Sequence, residues 1–176
     1  MTDYFALLGE ARRPWLDPDK LKEKYFALAR ERSADAELNE AYRILSDPKL
    51  RLQHLLRLED ADLGAGRDLP PGLAELFWNA GALFREIDRW AHQNEAASNS
   101  LSRALLSGER TKLEARLTTL DEQLRARYES ELEQLQSIDP GALPNEINNL
   151  ILRYDCLAYL TRLREQAKEK RLRLET

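Results

Sequence analysis

The chain has 176 residues, enough for one compact domain or two small ones with a real core. A hydrophobic share of 43% and a charged share of 33%, with Leu, Ala, Glu and Arg dominant, describe a globular, strongly helical chain; seven Gly and seven Pro exclude low-complexity disorder. The net charge of −4, with both signs interspersed, excludes a diffuse nucleic-acid binder, which would show a basic stripe and a high pI.

In chain order, Asp17-Pro18 opens the first clear helix: Asp caps free N–H groups and Pro fits a first turn. Leu21, Tyr25, Leu28 and Ala29 then recur at helical spacing as far as about Arg32. A second short helix puts Leu38, Ala41, Tyr42 and Leu45 on one face, so Tyr42 is expected in the core. Two stripes this short are unstable alone and are expected to pack on each other. Ser46-Asp47-Pro48 stops that helix and starts a third through Leu52, Leu55 and Leu56. The Gly/Pro-rich stretch 64–72 marks the best boundary in the chain, giving a first domain over 1–62, a linker over 63–72 and a second domain over 73–176.

Beyond the boundary the pattern is long helices. The first carries Leu73, Leu76, Phe77, Ala80, Leu83, Ile87 and Ala91, and Ser107-Gly108 is expected to break the chain after it. Leu113, Leu117, Leu120, Leu124, Tyr128, Leu132 and Leu135 follow at three- and four-residue steps. Asp139-Pro140-Gly141 and Pro144 are expected to turn the chain into a last helix with Ile147, Leu150, Ile151, Tyr154, Leu157, Ala158 and Thr161. Three amphipathic helices with short connections read as an antiparallel bundle. The basic bias of Arg162 to Arg173 reads as a solvated helix end favoured by the helix dipole.

Asp3-Tyr4-Phe5-Ala6-Leu7-Leu8-Gly9 resembles the start of J-domains, and Tyr25-Phe26-Ala27-Leu28-Ala29 resembles their second helix. The string from Leu38 through Asn39-Glu40-Ala41-Tyr42 to Leu45-Ser46-Asp47-Pro48 is similar to their third helix and its stop, and Arg51 stands where that family often has an arginine. The stretch from Asp47-Pro48-Lys49 to Leu55-Leu56 looks like the fourth helix of HscB-type co-chaperones, and Leu152-Arg153-Tyr154 through Leu160 resembles their last. That resemblance implies an all-α protein: a degenerate J-like helical domain followed by a three-helix antiparallel bundle.

One departure governs the mechanism. The resembled family triggers a DnaK-type chaperone ATPase with a His-Pro-Asp tripeptide in the loop between the second and third helices. Arg30-Glu31-Arg32-Ser33-Ala34-Asp35-Ala36-Glu37 occupies that place, without His or Pro, and only Asp35 matches. The bundle of the family holds a scaffold for iron–sulfur cluster assembly, through apolar and acidic residues of the first bundle helix and an aromatic of the last. Anchored on Phe84-Arg85-Glu86-Ile87-Asp88, the resemblance puts Phe77 and Trp78 at the apolar places and Tyr154 at the aromatic one, while two acidic places become Arg85 and Arg89. Charge reversal at a contact selects against the usual partner.

Each candidate has a plainer reading beside it. Phe77 and Trp78 point about 100° apart on a helix, so one can be core while the other is surface. Trp90 reads as packing. Lys20, Lys22, Lys24, Arg30 and Arg32 lie where J-domains meet their chaperone, and equally make a solvated face diluted by Glu23 and Glu31. His54 and His92 are isolated, Asp60 and Asp62 solubilise a loop, and the single Cys156 reads as a small buried hydrophobe. No phosphate loop, Ser/His/Asp arrangement or paired carboxylate pocket is visible, so neither enzyme activity nor a cofactor is expected. Met1 to Glu10 lacks the features of a signal peptide and no apolar run nears the roughly 20 residues of a membrane span, which points to the cytoplasm and to no membrane partner. The expected function is a protein-binding adaptor whose partner is a DnaK-type chaperone, an iron–sulfur scaffold or, in the alternative, a different protein with no chaperone role.

Overall fold

A computed structural model describes residues 1–31, 35–64 and 69–175. Among these the fold is all-α: α1 (Tyr4–Leu7), α2 (Pro18–Glu31), α3 (Ala36–Ser46), α4 (Pro48–Leu58), α5 (Ala74–Ala96), α6 (Ser100–Gln136), a 3-10 turn (Pro140–Ala142) and α7 (Leu143–Glu175).

Aspartate starts most of these elements. Asp3 accepts from the Phe5 and Ala6 amides at 3.0 and 3.3 Å, and Asp17 from Asp19 and Lys20 at 3.0 and 3.2 Å. Asp35 accepts from Glu37 and Leu38 at 3.0 and 3.1 Å. Asp47 accepts from Leu50 at 2.8 Å, with Pro48 in the first turn, and Asp139 accepts from Gly141 at 3.0 Å. Each cap satisfies amide donors that have no partner inside the helix.

The chain forms two compact units: Met1–Asp68 with Ser130–Leu157, and Leu69–Glu129 with Ala158–Thr176. Segment 63–72 separates α4 from α5 along the chain, whereas α6 and α7 each contribute to both units. In the first unit α3 packs against α1, α2 and α4. Phe5, Leu8, Leu21, Leu38, Leu45, Leu52, Leu55 and Leu56 are almost wholly buried, and Leu135, Leu150 and Leu157 join the core of the same unit. Tyr42 is only half-buried, contrary to the expectation of a core residue: it stacks on Tyr25 with ring centroids 4.2 Å apart, at the rim of the α2–α3 contact. Arg51 is 4% exposed; its Nε donates to the Pro14 carbonyl at 2.9 Å and Nη1 to the Leu45 carbonyl at 2.6 Å. That side chain ties the loop before α2 to the last turn of α3, where carbonyls lack helical partners.

The second unit buries Ala80, Leu83, Phe84, Ile87 and Trp90 of α5, Leu113, Leu117, Leu120 and Leu124 of α6, and Leu160, Leu163 and Ala167 of α7. The break expected at Ser107-Gly108 does not occur, and α6 runs from Ser100 to Gln136. Gly108 sits on an exposed face with open space around it. An exposed glycine inside a helix costs about 1 kcal/mol relative to Ala, too little to end a helix anchored by Leu106, Leu113 and Leu117. The Trp90 indole adds a tie from α5, donating to the Leu106 carbonyl at 2.9 Å. Pro144 falls within the first turn of α7, where no helical partner for its missing N–H is needed, instead of extending the preceding turn.

Candidate partner-binding surfaces

On the second unit the site candidate is the outer face of α5. Its apolar positions Ala80, Leu83, Phe84, Ile87 and Trp90 turn inward, so Trp78, Arg85 and Arg89, separated by seven and four residues, form a stripe on the other side. Trp78 is 67% exposed and Phe77 39%, their rings edge-on at 6.0 Å. Both candidates are therefore surface residues, while Phe84 of the same helix is buried.

Two acidic residues in the middle of α5, Glu86 and Asp88, are already engaged. Both Glu86 oxygens take the Arg116 guanidinium. That hydrogen bond, helped by the charges of Arg116 and Arg89, holds the Glu86 carboxyl below its ordinary range. Asp88 receives Lys170 at 2.6 and 2.8 Å and also Arg173. Arg85 and Arg89 make no hydrogen bond or ion pair among the described residues, so the middle of the outer α5 face is cationic, with the exposed Glu75 one turn before Trp78 at its N-terminal end. Beside it, between α5 and α6, lies an open groove of about 400 Å³ walled by Ala82, Leu83, Ala115, Thr119 and Leu120. Small residues at 82 and 115 leave this space unfilled.

Tyr154 belongs to the first unit. It is half-buried, and its hydroxyl accepts from Gln53 Nε2 at 3.2 Å. On the same helix Arg153 pairs with the fully buried Glu131 at 2.7 Å. On α2, Lys20, Lys22 and Arg30 are exposed. Lys24 is largely committed within the unit, to the Glu10 carboxylate at 2.7 Å and the Gly9 carbonyl at 3.0 Å. Arg32 lies outside the described residues, as do Ser33 and Ala34 of the junction that lacks His-Pro-Asp. Phe26, half exposed beside Tyr25, extends this surface with an aromatic that sequence reasoning did not single out. Its signal was spacing: it falls outside the 21-25-28 stripe.

His54 is buried for structural reasons. Its Nε2 accepts the Tyr4 amide N–H at 3.1 Å, and the ring stacks on Tyr4 at 4.7 Å and Phe5 at 5.8 Å. The accepting nitrogen requires the neutral ring, and burial pushes its pKa below the ordinary value near 6.5. Among the described residues no three His, Cys, Asp or Glu side chains are grouped to hold a metal ion, and no helix is long and apolar enough to cross a membrane.

No family model and no curated protein matches the sequence. The structure is similar to that of the chaperone HscB from Vibrio cholerae, with a TM-score of 0.63 and 21% sequence identity over 98% of this chain and 99% of that one. At this identity the likeness is one of fold, and the HscB-like all-α architecture expected from the motifs is the one the chain adopts.

Proposed function

We propose that this chain is a non-catalytic HscB-like co-chaperone or adaptor that holds a protein partner. On the second unit the contacts are Phe77, Trp78, Arg85 and Arg89 of α5; Tyr154, in the first unit, is a separate candidate contact. The observation that carries the reading is Trp78: a large aromatic left two-thirds exposed beside two arginines that make no hydrogen bond or ion pair among the described residues. Trp and Arg are the residue types most enriched at interface hot spots. The HscB-like fold supports an iron–sulfur scaffold as the ancestral partner class. Arg85 and Arg89, of opposite charge to the family's contact residues, favour a partner whose own surface has diverged.

The J-like part engages a chaperone only through Lys20, Lys22, Arg30 and Arg32, with Lys24 largely occupied, and does not stimulate ATP hydrolysis. The missing tripeptide also favours a second reading, in which the J-like part is a structural interaction module with no chaperone role. Trp78→Ala tests the α5 assignment. Helicity and melting temperature are expected to stay near the parent values, while affinity for the partner captured from the native organism falls by about 2 kcal/mol, roughly thirtyfold. Undiminished affinity would remove α5 from the interface.

A further inference from the structure

Arg85 and Arg89 are like charges one helical turn apart, an arrangement that costs an isolated helix a few tenths of a kcal/mol. The neighbouring carboxylates that could have relieved it, Glu86 and Asp88, are drawn away to Arg116, Lys170 and Arg173. Gly81 lies between Arg85 and Trp78, and Arg85 Nη1 comes within 3.5 Å of where a Cβ on Gly81 would stand. The guanidinium thus lies back over a bare stretch of helix in the direction of Trp78. On the flank of the same stripe, Ala82 opens into the apolar groove between α5 and α6, whose volume of about 400 Å³ accommodates a leucine- or phenylalanine-sized side chain.

We infer that this surface docks an acidic, amphipathic segment of the partner protein, with an apolar side chain in the α5–α6 groove and carboxylates on Arg85 and Arg89. The inference rests on the proposed α5 interface and adds the chemistry of what it takes. Charge complementarity fixes the sign: two guanidiniums whose donors make no hydrogen bond among the described residues present forks that match carboxylates bidentately. The groove favours an apolar occupant, since its Ala82, Leu83, Ala115 and Leu120 walls offer a polar side chain no hydrogen-bond partner, with Asn79, Arg116, Thr119 and Gln123 lining the rest. A nucleic acid would satisfy the arginines but not the groove.

The test is a selection of random twelve-residue peptides displayed against the full chain, run in parallel on the Arg85→Gln/Arg89→Gln double variant. The parent should enrich peptides in which Asp or Glu flanks Leu, Ile, Phe or Trp. The best of them, made synthetically, should bind the parent at least tenfold tighter than their Gln-for-Glu counterparts. The double variant should lose about tenfold in affinity, and Ala115→Trp, which fills the groove from an exposed helical position, should lose a similar factor with helicity unchanged. No enrichment, enrichment without acidic bias, or equal binding to the double variant overturns the inference. Neutral apolar peptides that bind the parent and lose affinity on Trp78→Ala would leave the α5 interface standing and remove only the acidic assignment. Native-partner affinity that is unchanged by Trp78→Ala would instead remove the interface itself.

Discussion

Replacing Tyr42 by Ala tests how the short α2–α3 pair is held. A fully buried aromatic costs about 3–5 kcal/mol on truncation to Ala, but Tyr42 is half-buried. About half of the burial contribution of such a ring amounts to ~1 kcal/mol. The stack on Tyr25, at 4.2 Å between centroids and 17° between planes, adds about 0.5–1.5 kcal/mol. Tyr42→Ala should therefore destabilise the protein by roughly 1.5–2.5 kcal/mol, read as a lower midpoint in urea at unchanged slope. A double-mutant cycle with Tyr25→Ala isolates the stack. The Tyr25 hydroxyl also donates to Asn39 Oδ1 at 2.7 Å, but that loss occurs in both Tyr25 arms and cancels. A coupling energy of about 0.5–1.5 kcal/mol is expected. Strict additivity would show that the rings are neighbours without mutual stabilisation, and a loss of 4 kcal/mol or so would show that Tyr42 is core after all.

The chain should not raise the ATPase rate of a cognate DnaK-type chaperone in single-turnover assays, since Arg30 to Glu37 contains no His-Pro-Asp; several-fold stimulation would sink that expectation. His54 makes stability depend on pH. Because its folded pKa is depressed, the unfolded chain binds the extra proton first, so the His54 contribution is complete above about pH 6.5 and is lost as pH falls from there through the lower folded value. Stability curves for the parent and His54→Gln should therefore converge as the pH falls from about 7.5 to about 5, and parallel curves would contradict the neutral-acceptor role. Arg51→Leu should cost about 2–4 kcal/mol, because it leaves the Pro14 and Leu45 carbonyls without a guanidinium donor; an unchanged urea midpoint would mean that water replaces it.

What was legible in the sequence was local. Asp17-Pro18 and Asp47-Pro48 announce helix starts because a cap acts across three residues, and the structure places those aspartates on the amides expected. Leu38 and Leu45 of α3, Leu52, Leu55 and Leu56 of α4, and Leu113, Leu117, Leu120 and Leu124 of α6 declare their buried faces through spacing alone. Gly108 misled because a helix-breaking tendency is a small local cost, outweighed by burial of leucines on both sides. Exposure of Trp78 was undecidable from a helical wheel whose inward direction depends on partners in α6 and α7. The state of Arg85 and Arg89 was equally hidden. It depends on Arg116 and Lys170, 30 and 82 residues from the α5 carboxylates they hold. Tyr154, grouped with the α5 residues by resemblance, belongs to the other compact unit, a division that follows from how α6 and α7 are shared.

That sharing bears on how the protein could be cut or recombined. A self-contained module can be excised at its linker and grafted elsewhere with its core intact. Here the first 62 residues leave behind Leu135, Leu150 and Leu157, which complete their hydrophobic interior from positions more than 60 residues downstream. A fragment ending at the 63–72 segment would carry an open apolar flank, while a protease nick at that segment in the intact protein would leave both pieces in place. The J-like portion therefore cannot be traded for one bearing His-Pro-Asp unless the end of α6 and the first half of α7 are traded with it.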